Sequence, residues 1–163
     1  MKIRSKIQTT IAILGFVTLA ACGGGGGSDP ETPEYQAYKF RDSVMHVAST
    51  KMALINGMAR EQIPLDEAAF VKATADLKAL AGMMLEGFEN PTLVPESLAE
   101  PAIWENWDDF VARANNLINA ADALAEAAAN GGFQAARGLV TASAGGTSSN
   151  CGGCHTTYRK RDE

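Results

Sequence analysis

The sequence is short of the residues that usually carry chemistry. Its 163 residues include only two histidines, three cysteines and 7% aromatics. Three cysteines cannot all pair within one chain, so a disulfide framework is not the basis of the fold. Basic residues are outnumbered, with 14 Lys+Arg against 19 Asp+Glu and a formal net charge of −5. That balance argues against nucleic acid as a partner, because phosphate binding needs clustered cations. Few aromatics and few β-branched runs argue against an all-β fold. No nucleophile beside a base, carboxylate pair of readable spacing or phosphate loop is visible. The glycines at 23–27 lack the Lys-Ser/Thr and the strand–helix context of a P-loop. The chain therefore reads as a non-enzyme. A long hydrophobic run is missing too. The apolar stretch Ile11 to Ala21 is broken by Gly15 and Thr18 and is too short for the ~20 residues of a membrane span.

What is present fits one packed domain: 46% hydrophobic and 20% charged residues. The first 21 residues read as an export signal, with Lys2, Arg4 and Lys6 ahead of the short apolar core. The stretch Leu19-Ala20-Ala21-Cys22 resembles a bacterial lipobox, in which the cysteine is lipidated and becomes the new N-terminus. An ordinary small-residue cleavage site with an incidental cysteine is the plainer alternative. Residues 22–32 follow as a glycine-rich tether, suited to slack between a lipid anchor and a folded domain. Cleavage before Cys22 removes three basic residues and no acidic ones, so the exported chain is the more acidic. The expected location is the periplasmic side of a bacterial membrane. Gly23 after the cysteine does not resemble the inner-membrane retention signal, which favours the outer membrane.

Four helical segments follow within residues 33–163. Thr32 is suited to an N-cap and Pro33 to a first helical turn. Tyr38, Arg41, Met45, Ala48, Met52, Ile55 and Ala59 then step by three and four, a seam with one charged member. Gly57 and Pro64 weaken and end it. Asp66 caps a second segment with Phe70, Ala73, Leu77, Leu80 and Met84. A loop over 86–100 leads to a third, which opens near Pro101. Trp104, Trp107, Val111, Ala114, Ile118, Ala121 and Ala125 line one edge of it, and Ile103, Phe110, Leu117 and Leu124 widen the stripe. Asn130-Gly131-Gly132 breaks the pattern, and Phe133, Ala136 and Val140 open a fourth segment, with another break expected at Gly145-Gly146. Four amphipathic helices with mostly short connections predict an all-α, antiparallel up-down four-helix bundle.

Beyond that break stands Cys151-Gly152-Gly153-Cys154-His155. Two thiols three positions apart can each add to one haem vinyl group, and the next imidazole can reach the iron, the pattern of c-type haem attachment. A structural zinc site wants four ligands, and only the distant His46 could join these three. A thioredoxin-like dithiol needs βαβ patterning, which is missing. A local disulfide in a haem-free lipoprotein is the plainest rival. With haem, the cysteine count closes: Cys22 takes lipid, and Cys151 and Cys154 take thioethers.

These residues carry a resemblance to the cytochrome c prime family, the class II c-type cytochromes. Cys151-Gly-Gly-Cys154-His155-Thr-Thr-Tyr158-Arg159-Lys160 resembles its terminal haem motif. Tyr38-Lys-Phe-Arg41-Asp42-Ser43-Val44-Met45 resembles its segment leading to the distal residue, and Pro101-Ala-Ile103-Trp104 is similar to the opening of its third helix. The resemblance covers about residues 34–161 and departs at Asp42, where the family usually has Gln, and at the less apolar stretch before Cys151. It implies one covalent haem c per chain, with His155 as the proximal ligand and Met45 over the distal face. There Met45 either ligates the iron or covers an open site, and a plain core methionine is the alternative. Arg41 needs an anionic partner if buried, such as a haem propionate, or else reaches the bundle end or a carboxylate. Arg159 either tunes the proximal imidazole or belongs to a solvated tail with Lys160 and Arg161. The expected function is electron transfer with periplasmic or membrane redox partners. The alternative is a five-coordinate haem that binds nitric oxide or carbon monoxide. A homodimer is common in the family, and Met58 and Val71 hint at one through surplus apolar surface.

Overall fold

A computed structural model describes residues 27–144 and 150–161 of the chain. The signal segment, Cys22, the glycines at 23–26 and the Gly145-Gly146 break lie outside the described residues. Helix α1 is Pro33–Ala59. Thr32 caps it by accepting from the Tyr35 N–H at 3.3 Å, with Pro33 in the first turn. Helix α2 is Glu67–Met83, capped by Asp66, which accepts from the Ala69 N–H at 3.0 Å. Both starts obey the same rule, a side-chain oxygen satisfying an amide that the helix itself leaves open.

A 3₁₀ turn at Glu86–Phe88 and a loop lead to a short α3, Ala102–Glu105, and then to α4, Trp107–Ala144. The third segment is thus split, where the sequence pattern predicts one run. Asn106 causes the split. Its backbone and side-chain amides both donate to Ala102 O, at 3.0 and 3.1 Å, and its carbonyl accepts from Phe110 N–H at 3.0 Å. Asparagine competes in this way with the regular helical ladder. The break predicted at Gly131-Gly132 is real: α4 leaves helical geometry there, with Gly132 at φ 64°. Its second arm, from residue 133, is capped from outside the helix, because the Phe133 N–H donates to Glu67 Oε1 at 2.6 Å. Helix α5 is Asn150–Tyr158.

The helices form a four-helix bundle, in which α4's second arm and α5 together fill the fourth place. One core joins Ile55 and Met58 of α1, Phe70 and Leu77 of α2, and Leu124, Phe133 and Val140 of α4. A second, aromatic cluster gathers Phe88, Ile103, Phe110 and Tyr158. Phe110 stands edge-on to Phe88 and Tyr158, with centroids 4.9 and 5.3 Å apart. One expectation changes. Met58 is 4% exposed in the core, so it supplies no surplus surface for a dimer, and Val71 is partly buried against that core. Met83 is 39% exposed. Among the described residues no helix is long and apolar enough to cross a membrane. Among the described residues, the regular pairing outside helices is one antiparallel bridge, Ala99 with Arg159.

Candidate functional site

Helix α5 carries Cys151, Cys154 and His155 within about one turn. Positions i, i+3 and i+4 share a helix face, and all three side chains line one cavity of about 920 Å³. Tyr38, Arg41, Met45, Ala48 and Met52 of α1, five of the seven residues in the predicted seam, line it as well. Phe88, Ile103, Phe110 and Leu117 close the interior. Residues separated by more than a hundred positions in the chain thus meet at one space. Its volume lies near the top of the ~300–1,000 Å³ typical of ligand sites.

Both cysteines are thiols rather than a mutual disulfide. Burial pushes the Cys151 thiol up; it does the same to Cys154, against an opposing pull from the Arg113 guanidinium. The thiols are therefore held neutral, and structural burial rather than a reactive thiolate sets their character. Burial also lowers the His155 pKa, with Arg159 adding to the effect. A neutral imidazole is the form that can donate a lone pair to a metal.

Arg41 is buried as the seam requires, but its partners are neutral. It donates to Gly87 O at 2.9 Å, Thr92 O at 2.9 Å and Thr92 Oγ1 at 3.1 Å, and it lies 5.3 Å from the Phe88 ring centre. The carboxylate and bundle-end alternatives are thus replaced by the carbonyls of the 87–92 loop, while Arg41 still borders the cavity. Gly87 permits this approach, since a Cβ there would lie 2.6 Å from Arg41 Cγ. Met45 is half-buried on the cavity wall and packs against the aromatic cluster. His46 is exposed at the cavity margin. Arg159 borders the cavity in the bridge with Ala99.

Sequence reasoning missed the clamp that holds α5. Asp109 Oδ2 accepts from Tyr158 Oη at 2.5 Å and from Arg113 Nε at 2.7 Å, and Arg113 Nη1 donates to Gly153 O at 2.7 Å. The Asp109/Arg113 spacing of four was the visible signal, a helix pair like many others. Asp109 is held below the usual carboxylate range, first by Tyr158 and then by Arg113. Tyr158 is pushed up to about 12, first by burial and then by Asp109.

The donor set fits haem. Two neutral thiols one turn apart, an imidazole on the same face and a thioether border one large, mostly apolar space. Cys151 and Cys154 would hold the macrocycle and His155 its iron.

Comparison with known proteins agrees. The family model described as Cytochrome C' matches residues 36–159. A cytochrome c-554 of Cereibacter sphaeroides is 36% identical over 130 residues, 75% of this chain and 79% of that protein. The crystal structure of cytochrome c' from Rubrivivax gelatinosus is 26% identical, with a TM-score of 0.68 over 76% of this chain and 94% of that one. A ferrous variant of cytochrome c prime from Alcaligenes xylosoxidans with bound NO shares the fold. It is 23% identical, with a TM-score of 0.67 over 79% and 97% of the two chains. A bundle with this cavity, matched by the family model over most of its length, belongs to the cytochrome c' family of haem c proteins.

Proposed function

We propose that this protein is an exported electron-transfer cytochrome rather than an enzyme, its haem joined to Cys151 and Cys154 and its iron ligated by His155 and Met45. The observation that carries the reading is the shared cavity: α5 brings two thiols and an imidazole to it, and α1 brings a thioether. Each thiol would add its S–H across one vinyl group. Bound haem supplies a one-electron ferric/ferrous couple. His155 would present a neutral ring nitrogen, and the Asp109–Arg113–Tyr158 clamp would keep α5 in register. Met45 would offer a sulfur from α1, and a thioether raises the potential of such a couple. Arg41 fixes the 87–92 loop and would bring positive charge to the cavity edge, where a haem propionate could sit. Arg159 would act on the imidazole through its charge. The first 21 residues would direct export, and lipid on Cys22 would hold the domain to the periplasmic side of a membrane, the outer one in preference.

The second reading is a five-coordinate haem that binds nitric oxide or carbon monoxide. It draws on the relative seen with bound NO, and on the volume of the cavity that Met45 lines. One absorption spectrum of the oxidised protein separates the two. A methionine-to-iron charge-transfer band that disappears in Met45→Leu supports electron transfer. A high-spin spectrum, unchanged by that substitution and followed by rapid carbon monoxide binding on reduction, supports the gas-binding protein.

A further inference from the structure

The start of the described chain is pinned to the cavity rim. The Ser28 N–H donates to Glu96 Oε1 at 2.8 Å, and the Ser28 hydroxyl to Glu96 Oε2 at 2.9 Å. The turn into α1 is then closed by Thr32 N–H on Asp29 O at 3.2 Å and by Gln36 Nε2 on Pro30 O at 2.6 Å. Glu96 lines the cavity beside Ser97, Leu98 and Ala99. The polypeptide therefore leaves the folded body at that wall.

Chain length then limits the orientation. Residues 22 to 28 span at most ~20 Å even when fully extended. Helix α1 has 27 residues and is about 40 Å long. The opposite end of the bundle carries Ile63 and Leu65. If that end faced a surface holding Cys22, Ser28 would stand farther from the surface than its tether reaches. The near rim has apolar groups of its own. Leu93 and Leu98 are 40% and 39% exposed on the loop that bears Glu96. That loop is fixed in place, since the Lys160 N–H donates to Leu98 O at 2.8 Å and Lys160 Nζ to Ser97 O at 3.1 Å.

We infer that the rim formed by Ser28, Leu93, Glu96 and Leu98 lies against the lipid bilayer that anchors Cys22, so that this wall of the cavity faces the membrane. The inference rests on the lipid-anchor reading above. The Ser28–Glu96 pairing sets the exit point at this rim, and even a chain free as far as Thr32 would span only ~35 Å, still short of the length of α1. An electron partner embedded in the same bilayer then meets the cavity without the molecule turning over.

The test uses the full, haem-loaded, processed protein in vesicles of phosphatidylethanolamine and phosphatidylglycerol. A photoreactive side chain is placed at Leu93 or, separately, at Leu65, and lipid adducts are read by mass spectrometry. An unchanged haem spectrum verifies the fold of each. Adducts severalfold more abundant from position 93 than from 65 are expected. Equal labelling, the reverse order or no adduct at 93 overturns the orientation. The intact mass of the same sample reports separately on the anchor. A chain lacking the lipid mass on Cys22 refutes the anchor itself, whereas a lipidated chain without the contrast refutes only the orientation.

Discussion

Arg41 shows how a single side chain organises the site. It is 5% exposed, and it satisfies two backbone carbonyls of a loop 46 and 51 residues away. Arg41→Met leaves those oxygens without a donor, at a cost of about 1–3 kcal/mol for a buried unpaired acceptor. Denaturant titration should show that loss. Arg41→Lys should recover only part of it, because an ammonium cannot fork to two carbonyls in a plane. The sequence made Arg41's need for a partner plain, as the lone charge in an apolar seam. It could not identify the partner, because a backbone carbonyl leaves no mark on residue type. Arg113 was harder still: its reach to Gly153 O depends on how α4 and α5 pack.

The clamp around Tyr158 gives a pH signature. Tyr158 titrates near pH 10 when unfolded and at about 12 in the fold. The fold thus holds the phenol proton more tightly. Its contribution is complete below about pH 10, declines above that and is gone once the pH passes about 12. Asp109 is shifted the other way. Its contribution is present above the ordinary carboxylate pKa of about 3.9 and is lost as the pH falls through its lower folded value. Melting temperatures measured across the alkaline range should fall between about pH 10 and 12 in the native chain. In Tyr158→Phe they should start lower and lose that decline.

Among the elements, the joint between the two arms of α4 is the most demanding. Gly132 combines φ 64° with ψ −159°, a region essentially reserved for glycine, and a Cβ there would collide with Glu67 Oε1. Gly132→Ala should cost about 1–3 kcal/mol from the backbone alone, measurable by denaturant titration. Glu67→Ala removes the remote cap on Phe133 and should cost about 0.5–2 kcal/mol, as other lost caps do. The Asn-Gly-Gly run announced this joint, just as Thr32 and Asp66 announced the starts of α1 and α2, because these residues act on their own neighbours. The Asn106 split was less legible, since asparagine is tolerated within helices and only its bonds to Ala102 reveal the break. The register of the third segment was legible in part. Its buried stripe runs through Ile103, Phe110, Leu117 and Leu124, the expected wider margin, together with Ala114, Ala121 and Ala125 of the expected edge, while Trp104, Trp107, Val111 and Ile118 of that edge are only partly buried. The Ala99–Arg159 bridge was not legible at all, because it joins two short non-repeating stretches sixty residues apart.

At the scale of the molecule, the bundle divides into a packed half and a half built around the cavity. Ile55, Phe70, Leu124 and Val140 close the first. Arg41, Met45, Cys151, Cys154 and His155 border the second. A chain carrying Cys151→Ala and Cys154→Ala should therefore keep its helix content by circular dichroism while melting earlier. At this size each kcal/mol lost corresponds to roughly 2–4 °C. The account depends most on where the haem is joined. The most direct measurement is peptide mapping by mass spectrometry of the protein produced with export and haem-attachment machinery. A haem mass on the peptide spanning residues 151–155, lost when both cysteines are replaced by alanine, is the predicted result. A colourless protein whose peptide there has the mass of its amino acids alone would contradict the account.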